Sequence, residues 1–171
     1  MSTTRSLPTR VIDAGLGLAH KLEWLGPLVV RLTLGAVFAT TGWGKLHHLD
    51  QITEFFTSLN IPAPGAQAAL VSTIEFAGGL LLLVGLGTRI VSVLLIGVMA
   101  VAIYTAKLPD LHGAIELANT IEWTYLAMFV WLAVSGAGRA SLDHLIARRG
   151  GSEPRVNVWP LDPSNPGVRQ A

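Results

Sequence analysis

Four charged residues stand inside, or at the ends of, four strongly apolar stretches of this chain. Arg31 lies in the first, Glu75 near the middle of the second, and Lys107 and Glu122 at the ends of the third and fourth. A charge at the centre of a hydrocarbon layer costs on the order of 3 kcal/mol even on lenient insertion scales, so such residues face a bundle interior, usually with a partner. Arg31 and Glu75 are the expected pair. With the first stretch rising from the cytoplasm, Arg31 sits roughly 9 Å and Glu75 roughly 18 Å above the inner surface at the helical rise, a gap most of which a long arginine bridges. Three chemistries suit them: a static ion pair that fixes packing, a proton-accepting carboxylate, or a polar anchor for a quinone head group. Lys45, Lys107 and Glu122 are expected near the outer rim, where snorkelling accounts for the lysines without any function.

The elements that must position these groups follow from composition and pattern. The chain has 171 residues, 51% of them hydrophobic and 13% charged, with a mean hydropathy of +0.53. Soluble domains carry about 25% charged residues, so this is a membrane composition. The predicted fold is all-α, an integral membrane four-helix bundle. Its spans are placed at about 25–46, 66–86, 90–108 and 119–137, each near the roughly 20 apolar residues a crossing needs. Residues 1–24 form an N-terminal segment in which 11–24 has the pattern of an amphipathic interfacial helix. The bundle domain covers 25–147, and 148–171 reads as a flexible tail. A short surface helix is expected over 50–59, stopped by Pro62-Ala-Pro64-Gly65. Another is expected over 141–149, with Ser141 as N-cap.

Helical spacing assigns faces. Arg31, Gly35, Phe38, Gly42 and Lys45 share one face of span one. Ala68, Ser72, Glu75, Gly79 and Leu82 share one of span two, and Val93, Gly97, Ala100, Tyr104 and Lys107 one of span three. Small residues beside the charges let membrane helices approach closely, so these faces are expected to meet in the bundle centre. Arg5, Arg10, Lys21, Arg89, Arg139, Arg148 and Arg149 fall on one side of the spans. The positive-inside rule therefore places both termini in the cytoplasm of a bacterial-type inner membrane.

Other chemistries find less support. No cysteine is present, which excludes a disulfide relay, a thiolate metal site or a Cys-ligated iron–sulfur cluster within this chain. None of His20, His47, His48, His112 and His144 lies at mid-depth, where a haem would need a ligand. His47, His48, Asp50, His112 and Glu116 lack metal-ligand spacing, and no metal site is assigned. Trp24, Trp43, Trp123 and Tyr125 fall near span ends, as an aromatic belt requires. Phosphate loops, nucleophile elbows and nucleic-acid patches are absent.

An ordered set of motifs resembles the DoxX family. It runs from Arg31-Leu-Thr-Leu-Gly35 and Gly42-Trp-Gly-Lys45-Leu46 through Ile61-Pro62, Glu75-Phe-Ala-Gly78-Gly79 and Gly85-Leu-Gly-Thr88-Arg89 to Gly138-Arg-Ala-Ser141-Leu-Asp143. The resemblance implies a four-helix inner-membrane protein, some members of which are subunits of quinone-linked redox complexes. Arg31, Lys45, Glu75 and Arg89 match the family's charged pattern and are the candidate cofactor-binding residues, with quinone as the cofactor and no catalytic residue assigned. Three readings stay open. One is a membrane subunit of a quinone oxidoreductase whose protein partners supply the redox centre. The second is a scaffold or assembly factor, and the third a small transporter, built as a homo-oligomer. A quinone role predicts an apolar pocket open sideways to lipid beside Glu75.

Overall fold

The computed structural model describes residues 22–110 and 113–149. The expected amphipathic segment before residue 22, the tail beyond 149, His20 and His112 lie outside the described residues. Among those residues every regular element is helical: α1 (Leu25–His47), α2 (Leu49–Ser58), α3 (Pro64–Val84), α4 (Thr88–Ala102), α5 (Ala114–Ala118), α6 (Ile121–Ser135) and α7 (Leu142–Arg149). α4 runs on without a break into a π-helical turn at Ile103–Lys107 and a 3-10 turn at Leu108–Asp110. Three rods, Leu25–His47, Pro64–Val84 and Thr88–Lys107, are long and apolar enough to cross a membrane. The fourth, α6, has 15 residues and is about 22 Å long, short of the roughly 30 Å hydrocarbon layer. Thr120 caps its start through a bond from the Trp123 amide, and Gly136, at φ 81°, ends it. The apolar stretch 119–137 therefore contributes fewer helical residues than its composition suggests.

Glycine sets how α1 and α3 meet. A methyl group at Gly42 would lie 2.7 Å from the Phe76 Cα, one at Gly79 2.8 Å from the Ala39 Cα, and one at Gly35 3.0 Å from the Gly79 carbonyl oxygen. Backbone rests on backbone along the seam, the close approach that small residues permit in membranes. The contacts define an antiparallel register: Gly35 opposite Gly79 to Leu83, Ala39 opposite Gly79, Gly42 opposite Phe76. The expected inward faces of these two helices are both found. Arg31, Gly35, Phe38 and Gly42 are buried on α1, and Ala68, Ser72, Glu75, Gly79 and Leu82 on α3.

The expected face of span three is turned away. Val93 and Tyr104 are exposed, at 59% and 72%, and a Cβ at Gly97 would meet nothing within 4 Å. The buried face is Thr88, Val91, Ser92, Leu95 and Met99. The error has a physical cause. A spacing that joins Lys107 to Val93 assumes one unbroken α-helical phase, but the π-helical turn at Ile103–Lys107 widens the helix and breaks the phase relation with the residues upstream.

The core joins Leu34 and Phe38 of α1, Leu82 of α3, Val91, Leu95 and Met99 of α4, and Phe129 and Leu132 of α6. Phe38 is its hinge: its ring meets Phe129 edge-on at 4.9 Å and Tyr125 at 5.4 Å. Tyr125 thus packs on the core instead of joining the belt. Trp24, Trp43 and Trp123 keep 39%, 54% and 42% of their surface exposed near helix ends, as belt residues should. The expected surface helix is α2, which turns Leu49, Ile52, Phe56 and the following Leu59 inward and Asp50, Gln51 and Glu54 outward.

Candidate functional site

The four candidate residues separate into two groups at opposite ends of the bundle. At one end, Lys45 in the last turn of α1 reaches Glu75 of α3. The ammonium nitrogen stands 2.7 Å from each carboxylate oxygen, and it donates a hydrogen bond to Oε1. Glu75 is buried at 2% side-chain exposure, whereas Lys45 keeps 34%. The Gly42–Phe76 contact holds the pair in place, because it brings the α1 backbone against residues 75 and 76. On the same seam the Trp43 ring packs, tilted, against Phe76 at 5.3 Å and against His47 at 4.2 Å. The His47 ring also engages the Trp43 carbonyl through Nδ1, at 2.9 Å.

The expected Arg31–Glu75 pair does not form. In the glycine-set register Arg31 lies level with Gly85 to Gly87, past the end of α3; along α1 it stands a dozen residues from the level of Glu75, or about 18 Å at the helical rise. Depth counted from span ends takes α1 and α3 to begin and end level with each other, which the glycine contacts do not allow. The real register slides α1 toward the α3–α4 turn, and Lys45 takes the acid instead. This lysine is therefore an ion-pair partner and not a snorkelling side chain. Lys107 is likewise paired, with Glu122 at 3.3 Å.

At the other end Arg31 is used as a backbone clamp. It is 2% exposed and donates from Nη1 to the Ala137 carbonyl at 2.8 Å and from Nη2 to the Ala140 carbonyl at 2.7 Å. These carbonyls follow the C-terminus of α6, where a planar, two-pronged donor suits two acceptors better than an ammonium would. Asp143 supplies the opposing charge. Its carboxylate accepts from the Gly87 amide at 2.7 Å and the Thr88 amide at 3.0 Å, capping α4 from a different helix. Ser141 caps α7 as expected, accepting from the His144 amide at 3.2 Å. Gly85 is required here: its φ is +72°, and a Cβ would overlap the Arg31 guanidinium and the Ser141 side chain. Arg89 donates to the Val134 carbonyl at 3.2 Å. Arg31 and Arg89 thus both hold α6 and its exit loop, far from Glu75.

Two buried hydroxyls and one half-buried carboxylate carry no signal in the helical spacing. Thr88 and Ser92 are fully buried on α4, and Asp143 organises two termini at once. Only the position of Asp143 in the closing motif hinted at it. Among the described residues no cluster of three metal-ligating side chains occurs. One apolar groove of about 400 Å³ opens between α1 and α6, lined by Val30, Trp123, Thr124, Ala127, Met128 and Trp131. Glu75 is not among its lining residues, so it is not the pocket expected beside that carboxylate.

Long apolar rods, charges paired in their interior and glycine-mediated backbone contacts define a multi-pass helical membrane protein. Comparison narrows the class. The DoxX family profile matches residues 26–108. "Inner membrane protein YqjF" of Escherichia coli is 30% identical over 129 residues, covering 75% of this chain and 98% of that protein. The chain belongs to the DoxX family, and its site is the inner membrane. "Putative oxidoreductase CatD" of Bacillus subtilis is 31% identical over 124 residues, 71% of this chain and 87% of CatD. An uncharacterized membrane protein of Mycobacterium tuberculosis is 33% identical over 134 residues, 71% of this chain and 82% of its own. No solved structure matches.

Proposed function

We propose that this chain is an integral subunit of a quinone-linked redox complex, with Lys45 and Glu75 as the polar end of its quinone site. The observation that carries the reading is the asymmetry of that ion pair: an acid enclosed within the bundle is joined to a base that is one-third exposed. The donor set fits the head group. A quinone carbonyl oxygen needs a cationic or neutral donor, which Lys45 Nζ supplies, and its reduction needs protons, which a carboxylate can accept and pass on. The bound quinone would contribute two-electron acceptance. Lys45 orients the oxygen, and Glu75 holds or relays the proton away from lipid. In this reading electrons come from a partner protein, and no Cys-ligated cluster of this chain carries them, since it has no cysteine. The name of CatD supports a redox context. In this reading Arg31 and Arg89 position helices and do not touch the head group.

The test is Glu75→Gln, which keeps shape and removes the charge. Quinone-dependent electron transfer by the assembled complex should be abolished while the protein accumulates normally. Wild-type transfer rates would remove Glu75 from the mechanism. A second reading, a membrane scaffold or assembly factor, is favoured by the end of the bundle where buried Arg31 and half-buried Asp143 each bond backbone groups. Loss of the protein in the Glu75→Gln variant, with restored accumulation in Lys45→Met/Glu75→Leu, would support that reading.

A further inference from the structure

A surface feature at the Arg31 end points to a separate interaction. α7 turns Asp143, His144 and Ala147 inward, and Leu142, Leu145, Ile146 and Arg148 outward. The three outward apolar side chains are 40%, 54% and 58% exposed. In water this would be an unexplained apolar strip on a helix of eight residues. The level at which the helix sits explains it. Asp143 bonds the amides at the start of α4, its own amide donates to the Gly85 carbonyl at the end of α3, and Arg31 grips the loop joining it to α6. Gly138, in that loop, packs on Pro27 and approaches the Trp24 carbonyl at the start of α1. α7 is therefore fastened at the depth where all four rods end, beside a belt tryptophan.

We infer that α7 is an interfacial helix that seats its Leu142–Leu145–Ile146 face in the acyl–headgroup boundary and binds anionic phospholipid through Arg139 and Arg148. Two observations select this occupant. The strip is bonded to the ends of the apolar rods, and two exposed arginines flank it in the chain, Arg139 before the helix and Arg148 within it, the pairing of apolar face and cationic flank that anionic leaflets attract. The inference does not rest on the quinone reading.

The full chain lacks cysteine, so Leu145→Cys accepts a single fluorescent label. After reconstitution into phosphatidylcholine vesicles and into equimolar phosphatidylcholine–phosphatidylglycerol vesicles, the label should be quenched by nitroxide lipids and shielded from aqueous iodide. Native mass spectrometry should show phosphatidylglycerol retained by the wild type, with retention falling about fivefold for each arginine lost in Arg139→Gln and Arg148→Gln. Quenching by iodide in both vesicle types would overturn the seating. Shielding from both quenchers, which is the result for a second copy or another protein on this face, would overturn it too. Equal phosphatidylglycerol retention in wild type and variants would overturn the headgroup assignment. None of these readouts depends on electron transfer, so failure here and failure of the quinone site are distinguishable.

Discussion

Which acid answers which base is the sharpest quantity to measure, and double-mutant cycles measure it. The variants are Lys45→Met, Arg31→Met and Glu75→Gln, singly and in the two pairs that share Glu75. Lys45 and Glu75 touch at 2.7 Å, with one partner enclosed and the other one-third open. Exposed pairs couple by about 0.2–1 kcal/mol, whereas breaking a buried pair costs roughly 3–5 kcal/mol. A half-enclosed pair should couple by about 1–2 kcal/mol. Arg31 and Glu75 lie about 18 Å apart along the helix axis and share no partner, so their effects should add to within about 0.5 kcal/mol. Arg31→Met should nonetheless be costly alone. It removes two charge-assisted hydrogen bonds to carbonyls, each contributing about 1.5–3 kcal/mol. The assay is unfolding in mixed micelles with increasing denaturing detergent, followed by helicity. Coupling above 1 kcal/mol between Arg31 and Glu75, or none between Lys45 and Glu75, would refute the register.

Further outcomes follow from the same contacts. Gly79→Ala should destabilise by about 1–3 kcal/mol through forced separation of α1 and α3, whereas Gly97→Ala, with open space around it, should be neutral or stabilising in the same detergent titration. Asp143→Ala should cost about 1–2 kcal/mol and should speed hydrogen exchange at the Gly87 and Thr88 amides without altering those of α6. Phe129→Ala removes the ring that meets Phe38 at 4.9 Å and should cost about 3–5 kcal/mol. A loss below 1 kcal/mol would mean that α6 does not pack as described.

Much of this arrangement was legible in the residues, and the misses share one physical cause. Glycines and charges at 4-3-4-3 spacing on spans one and two marked faces that are buried, because close approach needs small side chains wherever it occurs. Polar punctuation marked α2, and Ser141 marked the start of α7, since caps are local chemistry. Register is not local. How far α1 slides along α3 is decided by which glycines meet which backbone atoms, and charge complementarity alone could not tell Lys45 from Arg31 as the partner of Glu75. The buried face of α4 is hidden from spacing for a related reason: its phase shifts at the π-helical turn Ile103–Lys107, which hydropathy does not reveal. For the candidate site, the sequence pattern offers Arg31, Lys45, Glu75 and Arg89 together, while the pairing of Lys45 with Glu75, and the separation of the two arginines from them, are properties of the three-dimensional contacts alone.

Arg31 sits on the first rod, yet the oxygens that accept its protons belong to residues made a hundred positions later. During synthesis the guanidinium enters the bilayer well before Ala137 and Ala140 leave the ribosome, and the amides of Gly87 and Thr88 wait for Asp143 in the same way. Early α1–α3 hairpins must therefore endure a solvation debt that only the arrival of the closing segment removes. A chain cut short before Ala137 leaves the Arg31 guanidinium inside the bundle without either of its carbonyl acceptors.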